Sequence, residues 1–251
     1  MYHHVNSDRC SNDLAIFEEH LKYIKNNFKT IFPGEKITSK SVCLTFDDAY
    51  ADFYFLIFPL LKKYNLKALL AIPSKYILDD TEEEAENRMN FEHNDLFENY
   101  QKATFCTYKE LKQMQESGLV VFGSHSHSHI DLTQKQVDLD LELRVSKQIL
   151  EDKLNTKIDS FVFPFGKYNQ DILKEAKKYY KYNFRIGNAI HKDFIGINGA
   201  IYRVDGDNLK TADEIFKTTK LSIFVFNFSS KICFETLNSK SKSTCFCVKS
   251  I

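Results

Sequence analysis

Short apolar runs alternate along this chain with longer segments in which apolar residues recur every three or four positions. The short runs have the length and composition of strands. They cover residues 41–46, 67–73, 119–123, 160–163 and 182–186, with a further extended piece at 201–204. Several lack a regular alternation of polar and apolar positions, as expected of strands that are buried on both faces.

The longer segments have the periodicity of amphipathic helices. They are predicted at residues 17–27, 52–64, 107–117, 134–155 and 170–180. The third is the best defined, because Thr107 is placed to cap it, Glu110 completes a capping box and Gly118 marks its end. Residues 79–101 are acidic and polar, which is typical of an insertion over one face of a fold.

Strands that alternate with helices predict an α/β fold with a parallel sheet, either open or closed into a barrel. Residues 221–251 depart from this pattern, since they begin with LSIFVFNF, become rich in Ser and Lys, and contain no Gly, Pro or His. We therefore expect one domain over residues 1–220 and an atypical C-terminal tail over residues 221–251 that is not part of the ancestral fold.

The charge balance narrows the choice of partners. The 34 Lys and Arg residues match the 34 Asp and Glu residues, which gives no reason to expect nucleic acid or an anionic membrane as partner. No apolar run reaches the roughly 18 residues of a transmembrane segment. The start, MYHHVNSDRC, also lacks the apolar core of a signal peptide. As written, the sequence predicts a cytoplasmic protein, with the cell envelope as the alternative if the protein begins upstream.

Three chemically reactive stretches each follow an apolar strand. Asp47 and Asp48 follow CLTF, the run HSHSH from His125 to His129 follows LVVFG, and residues 164–166 (PFG) follow SFVF. In parallel α/β folds, functional groups gather where strands end and loops begin. We therefore expect these residues, which are far apart in sequence, to meet at one edge of the sheet.

The histidine run predicts a metal site. In a helical turn, His125 and His129 share one face, and in an extended backbone His127 shares it too, so His125 and His129 are the better ligand pair in either case. Two imidazoles and one carboxylate form a plausible Zn²⁺ set that leaves a position for water. Asp47 or Asp48 can supply the carboxylate, and the other can accept a proton from that water.

These residues resemble the motifs of a known family. Residues 45–49 (TFDDA), the His125-x-x-x-His129 pair and residues 163–166 (FPFG) are similar to the first three motifs of the polysaccharide deacetylase superfamily, which is NodB-like and forms carbohydrate esterase family four. Residues 2–5 (YHHV) resemble the tyrosine–histidine motif of the branch that includes biofilm-polysaccharide deacetylases. The resemblance covers about residues 1–205 and implies a distorted (β/α) barrel with fewer than eight regular strands.

The resemblance also implies roles for individual residues. Asp47 would be the catalytic base, and Asp48, His125 and His129 would hold a divalent metal, zinc by default. Phe165 would offer its backbone N–H to the oxyanion, in a loop shaped by Pro164 and Gly166. Separately, aromatic side chains often form sugar-binding platforms, and Tyr168 is our candidate for one.

The chain departs from the family pattern at three places. Val162 stands where many members carry an arginine, and Arg203 either replaces that arginine as the partner of Asp47 or forms a structural salt bridge. No histidine follows His191, so the usual source of the general acid is missing, and His191, His3 or protonated Asp47 are the candidates. Met1 directly precedes Tyr2, so most of the usual first strand is absent from the sequence.

The leading interpretation is a metal-dependent hydrolase that removes N-acetyl groups from N-acetylhexosamine units of a polysaccharide or glycolipid. Two alternatives stay open. The same fold and metal can act on a non-sugar amide or a formamide, a choice that the loops decide. Alternatively, the chain is a degenerate, non-catalytic homologue that binds glycan, and bound metal would separate that alternative from the first two.

Overall fold

A computed structural model describes residues 1–38 and 40–218 of the chain. The predicted tail at residues 221–251 lies outside the described residues, so the predicted domain boundary stays a prediction. Most of the described chain surrounds one six-stranded parallel sheet. Its strands are β5 (Leu44–Phe46), β6 (Ala68–Ile72), β7 (Val120–Ser124), β8 (Ser160–Val162), β9 (Tyr182–Ile186) and β10 (Ile201–Arg203).

Four shorter strands form two parallel pairs outside this sheet. They are β1 (His4–Val5) with β2 (Ser11–Asn12), and β3 (Lys29–Thr30) with β4 (Ser41–Val42). The helices are α1 (Leu14–Asn27), α2 (Phe58–Tyr64), α3 (Ala85–Met89), α4 (Tyr108–Glu116), α5 (Ser146–Leu154), α6 (Gln170–Tyr179) and α7 (Glu214–Thr218). Single π-helical stretches at Phe53–Ile57 and Asp140–Val145 lead directly into α2 and α5. No described helix has the length and apolar character needed to cross a membrane.

The sheet strands follow one another in chain order, from β5 at one edge to β10 at the other. The sheet curls into an incomplete barrel, which confirms the predicted distorted barrel with fewer than eight strands. Met1 and Tyr2 connect the two edges near the carboxyl ends of the strands. Tyr2 N donates to Thr45 O at 3.0 Å, and Gly206 N donates to Met1 O at 2.9 Å. Met1 and Tyr2 thus bridge the gap between the two sheet edges at the end of the barrel where the reactive loops lie.

Strand β6 shows why the predicted strands lack polar alternation. Leu70 and Ile72 belong to the large core between the sheet and the helices. Leu69 and Ala71 face a smaller apolar cluster on the other side of the sheet. Each fully buried side chain of this size contributes about 1.5–3 kcal/mol to folding. Apolar residues are therefore favoured at every position of the strand.

The capping box of α4 is confirmed. Thr107 Oγ1 accepts from Glu110 N at 3.3 Å, and the Glu110 carboxylate accepts from Thr107 N at 2.8 Å. Two predicted boundaries were wrong. The run 41–46 is interrupted at Cys43, because its first part pairs with β3 and its second part with β6. The helix predicted from residue 134 begins near residue 139, where Asp138 Oδ1 accepts from two backbone amides of the first turn.

Candidate active site and metal centre

The three reactive stretches meet at the carboxyl ends of neighbouring strands. Asp47 and Asp48 follow β5, His125 follows β7, and the turn at Pro164–Gly166 follows β8. Strands β5, β6, β7 and β8 are adjacent in the sheet, so their ends form one continuous edge. The geometry therefore brings together residues that are more than 100 positions apart in sequence.

A sharp bend after β5 sends the two aspartates in different directions. Asp48 and the following Ala49 have left-handed backbone conformations, with φ of 70° and 57°. Such conformations are unusual for non-glycine residues and cost about 1–3 kcal/mol each when the surroundings impose them. The bend directs the carboxylate of Asp47 towards Arg203 and that of Asp48 towards two histidines. One sequence motif thereby serves two separate chemical environments.

The carboxylate of Asp48 faces the two histidines. Its Oδ1 lies 3.1 Å from His129 Nε2 and 3.4 Å from His125 Nε2. One ligand atom from each of these residues lies within 4.8 Å of the other two. Asp48 Oδ1 is buried and has no hydrogen-bond partner within the described part of the chain. A buried, unpartnered carboxylate oxygen between two imidazole nitrogens fits a divalent cation.

The protonation of the two histidines also fits a metal. His125 Nδ1 lies 2.8 Å from Val162 O, and since a carbonyl only accepts, Nδ1 carries a proton and Nε2 is the nitrogen that faces Asp48. Burial, which the nearby Asp48 only partly opposes, lowers the pKa of His129 to about 4, so its ring is neutral at pH 7. Burial raises the pKa of Asp48, but the neighbouring histidines outweigh this effect and lower it overall. The set thus places the Nε2 atoms of two imidazoles beside an ionised carboxylate.

The loop that carries the histidines is neither helical nor extended, so both backbone geometries considered from the sequence were wrong. Ser126 and His129 have positive φ angles of 66° and 50°. The buried carboxylate of Glu142 accepts from His127 N at 2.9 Å and from Ser128 N at 2.8 Å. These two hydrogen bonds hold the turn that directs the first and last histidine of the run to Asp48.

His127, which we expected not to bind metal, faces another direction. Its Nδ1 lies 2.9 Å from the hydroxyl of Ser74. Sequence reasoning did not identify Glu142 as a support of this loop. It lies 13 residues beyond His129 in a segment that looks like any polar helix, and no local signal marks it as buried.

Asp47 forms a two-pronged salt bridge with Arg203. The guanidinium nitrogens lie 2.6 Å from Oδ1 and 2.7 Å from Oδ2, and the same guanidinium donates to Thr45 Oγ1 at 3.1 Å. Burial raises the pKa of Asp47, but the charge and hydrogen bonds of Arg203 outweigh this effect and hold it well below its usual range. Asp47 is therefore ionised at every pH at which the protein would be assayed. Of the two alternatives considered for Arg203, the contacts favour the one in which it pairs with Asp47.

The turn at residues 164–166 borders the candidate metal site. Phe165 has a positive φ of 58°, is 55% exposed, and places its ring 4.8 Å from that of His129. Gly166 also has a positive φ, and a Cβ at this position would lie 3.1 Å from Ile186 Cβ. Only glycine fits there without displacing β9. The predicted oxyanion contact through the Phe165 amide is compatible with this position and stays a prediction.

Two other predicted residues lie apart from the aspartates. Tyr168 stacks on Phe163, with ring centroids 4.7 Å apart, and is only partly exposed. His191 Nε2 lies 2.9 Å from Tyr202 N and 3.0 Å from Tyr202 O, and its ring lines an apolar groove between β5 and β10. Within residues 1–38 and 40–218, no hydrogen bond or ion pair joins His191 to Asp47 or to the three candidate metal ligands.

Comparisons with known proteins agree with this architecture. The family profile "Polysaccharide deacetylase" matches residues 34–183. "Putative polysaccharide deacetylase YxkH" of Bacillus subtilis is 28% identical over 192 residues, which are 71% of this chain and 60% of that protein. The chain thus spans about 60% of the length of this relative. A poly-beta-1,6-N-acetyl-D-glucosamine N-deacetylase of Escherichia coli is 30% identical over 93 residues, which are 37% of this chain and 13% of that protein.

Among solved structures, the Streptococcus pyogenes deacetylase PplD in complex with acetate superimposes with a TM-score of 0.67 at 24% identity. The superposition covers 86% of this chain and 94% of PplD, and it shows a shared fold. The family profile spans well over half of the chain and includes both aspartates, His125 and His129. The chain belongs to the polysaccharide deacetylase family, whose members hydrolyse N-acetyl amide bonds of carbohydrates.

Proposed function

We propose that this chain is a divalent-metal-dependent hydrolase that removes N-acetyl groups from N-acetylhexosamine units of a polysaccharide or glycolipid. One observation carries the proposal. The unpartnered carboxylate oxygen of Asp48 faces the Nε2 atoms of His125 and His129, next to an ionised Asp47. A metal site with an adjacent base is the arrangement that amide hydrolysis through an activated water requires.

Asp48, His125 and His129 would hold the metal. Two imidazoles and one carboxylate are a ligand set of catalytic zinc sites, and zinc is the metal we propose. When bound, a divalent metal lowers the pKa of a coordinated water and stabilises negative charge on the substrate carbonyl oxygen. The three protein ligands leave room for that water.

Asp47 would act as the base. Its carboxylate is fixed by Arg203 at both oxygens and is ionised, so it accepts a proton from the water that attacks the acetamide carbonyl. Phe165 N–H would donate to the carbonyl oxygen as negative charge develops there. Because all these groups are held before substrate arrives, little reorganisation is needed during the reaction.

The rim of the site supports a sugar substrate. Phe165 exposes its ring beside the metal ligands, and Phe97 stacks on His129 with ring centroids 4.7 Å apart. Phe97 belongs to the acidic insertion at residues 79–101, so this insertion contributes to the wall of the site. The Escherichia coli relative is named for an N-acetyl-D-glucosamine polymer. A polymer of N-acetylhexosamine is therefore the substrate class that we propose.

The test measures bound metal and acetate release together. Wild-type protein and Asp48→Ala are loaded with Zn²⁺, dialysed, and assayed on an acetylated chito-oligosaccharide and on 4-nitrophenyl acetate. We expect about one metal per wild-type chain with acetate release from both, and loss of both properties in Asp48→Ala. Asp47→Asn is the matched control, since it should keep the metal but lose activity.

Two results would contradict the proposal. A wild-type chain that binds no divalent metal would show that the ligand set does not form. Bound metal without acetate release from either compound would instead favour a glycan-binding homologue, or a hydrolase of a non-sugar amide. Release of formate from a formamide in place of acetate would identify the latter.

A further inference from the structure

His3, Cys10 and Asp207 form a second group of metal-binding side chains at the chain start. One ligand atom from each of these residues lies within 4.8 Å of the other two. Within residues 1–38 and 40–218, the candidate metal centre described above is the only other group of three that meets this criterion. The geometry that marks the first centre therefore also marks a second place in the fold.

The backbone brings these three side chains together. His3 directly precedes β1 and Cys10 directly precedes β2, and the two strands pair in parallel. His4 N donates to Cys10 O at 3.1 Å. The loop after β10 binds to the same strand pair, where Asn208 N donates to Ser11 O at 2.9 Å. Three segments of the chain are thus hydrogen-bonded to one another at this place.

The three side chains suit a zinc ion. His3 Nδ1 lies 2.5 Å from Asp207 Oδ2, and Asp207 Oδ1 accepts from the backbone N–H of His3 at 3.0 Å. Both side chains are largely buried, with 15% and 4% of their surface exposed, and Cys10 is half-buried. Imidazole nitrogen, thiolate sulfur and carboxylate oxygen are all zinc ligands, and a water can complete the tetrahedral set. The sulfur favours zinc over Mg²⁺ or Ca²⁺, which prefer oxygen.

We propose that His3, Cys10 and Asp207 bind a second divalent metal, with zinc as the ion, and that this metal joins the chain start to the loop after β10. His3 and Asp207 are 204 positions apart in sequence. A metal that connects such distant residues closes a long loop, which is where a cross-link constrains the unfolded chain most. The metal would reinforce the place where Met1 and Tyr2 bridge the two edges of the sheet. This role is structural and does not depend on the deacetylase activity.

The protons at this site make it weaker than the first. Burial lowers the pKa of His3, but the hydrogen bond with Asp207 and the charges of Asp47 and Asp48 outweigh burial and raise it to about 9. Burial raises the pKa of the Cys10 thiol. A metal must therefore displace one ring proton and the thiol proton, and both pass to solvent as the metal–nitrogen and metal–sulfur bonds form. The second site should fill only after the first. Because two protons leave as one divalent cation enters, the net charge of the group stays the same.

The test uses Co²⁺ as the probe, because a cobalt–thiolate bond gives a charge-transfer absorption band. The first centre contains no sulfur and cannot give this band. Metal-free full-length protein is titrated with Co²⁺, and we expect the band to appear only with the second equivalent. Cys10→Ser should lose both the band and the second equivalent. Two matched controls should keep both, namely Cys43→Ser and a triple variant in the C-terminal segment: Cys233→Ser, Cys245→Ser and Cys247→Ser.

The structural role is measured by melting temperature, starting from protein that holds one equivalent of metal. At a free Co²⁺ concentration of about 100 times the second dissociation constant, the melting temperature should rise by about 5–10 °C in wild type. The same addition should give no rise in Cys10→Ser. If that variant is unfolded by circular dichroism, Asp207→Asn decides. It keeps the thiol but loses a ligand, so its affinity for the second equivalent should fall at least about tenfold.

Three results would overturn the proposal. A wild-type chain that binds only one equivalent, without the band, would show that the second site does not form. A band that persists in Cys10→Ser would assign the sulfur to another cysteine. A second equivalent that leaves the melting temperature unchanged would show that the metal does not join the two segments. None of these measurements uses acetate release, so failure of the second site and failure of the proposed function are distinguishable.

Discussion

His129 and His3 lie on either side of the aspartate pair and differ in charge at pH 7, although an unperturbed histidine has the same pKa at any position. Burial lowers the pKa of His129 to about 4, while Asp207 and the aspartate pair raise that of His3 to about 9. His129 is directed towards a single carboxylate oxygen, which a metal would share. His3 has a carboxylate bound to its ring nitrogen. The balance between burial and a dedicated carboxylate partner therefore sets the charge of each histidine.

The two sides also differ in how their parts are distributed along the chain. The metal side uses a His-x-x-x-His pair and an aspartate that ends a strand, and these form recognisable local motifs. The acid–base side uses Arg203 and Asp207, which lie 156 and 204 residues from their partners Asp47 and His3. Contacts across such separations leave no periodic or local signal. The motifs therefore identify the residues of the first side directly. On the second side the sequence names Asp47 and offers Arg203 only as one of two alternatives, and Asp207 is found only in the fold.

The largest expected effect comes from breaking the salt bridge on the acid–base side. Arg203→Met leaves Asp47 buried without a partner, and losing one member of a buried ion pair costs about 3–5 kcal/mol of unfolding free energy. Burial then raises the pKa of Asp47 against the weaker opposition of His125 and His3, so the acidic limb of the pH–activity profile moves to higher pH. Urea unfolding and a kcat/KM profile measure the two effects.

Arg144→Met is the matched control, because the pair of Arg144 with Asp140 is exposed to solvent and should contribute little to stability. The pH dependence has a definite sign. A depressed carboxyl pKa contributes stability above its unfolded value near 3.8, and this contribution is lost as pH falls through the folded value. Equal stability losses in the two variants would contradict our interpretation of the Arg203 contact.

A smaller effect is expected from the support of the metal side. Glu142→Ala removes the acceptor for the His127 and Ser128 amides, so the histidine loop loses its fixed shape. We expect zinc affinity to fall by about 10–100-fold, as is typical when groups that orient metal ligands are removed. Competition with a chromophoric chelator measures this affinity. Glu116→Ala, on the exposed face of α4, is the control. An unchanged zinc affinity in Glu142→Ala would mean that the histidine loop keeps its shape without the Glu142 carboxylate.

The smallest expected effect is a change in the pKa of His3. In metal-free protein, the ring of His3 should titrate near pH 9 by NMR, and Asp207→Asn should lower this pKa because the bound carboxylate that raises it is lost. The raised pKa contributes stability that is complete below the unfolded value near 6.5 and disappears as pH rises through about 9. Asp193→Asn is the control. A His3 that titrates near 6.5 in wild-type protein would contradict the comparison.

Local signals account for the parts of the fold that were predicted correctly. The alternation of strands and helices gave the parallel barrel, and the Thr107 capping box fixed the start of α4. Two element boundaries were predicted wrongly. One depends on strand pairing in the folded protein, and the other depends on a side chain that caps a helix inside an apparently helical pattern. One apolar run is interrupted at Cys43 because the residues before it pair with β3 and the residues after it pair with β6, in a different sheet. Asp138 ends the predicted extension of α5 because its side chain caps the backbone there.

For the site, the sequence motifs named the residues but not their backbone shapes. The bend at Asp48 and Ala49 agrees with the expectation that adjacent aspartates perform different tasks if the chain turns there. The irregular histidine loop was not predicted, because its shape depends on a glutamate in another element. Residues 221–251 lie outside the described part of the chain, and their separation from the barrel stays a prediction.

The left-handed residues around the site restrict how this protein can change. Asp48, Ala49, Ser126, His129 and Phe165 all have positive φ angles, although none is a glycine. At such positions a β-branched replacement is strongly disfavoured, whatever its polarity. Substrate preference can therefore be altered more readily through the insertion that carries Phe97 than through the loops that carry the chemistry. A directed-evolution library would be more productive if it randomised the insertion and left these five positions unchanged.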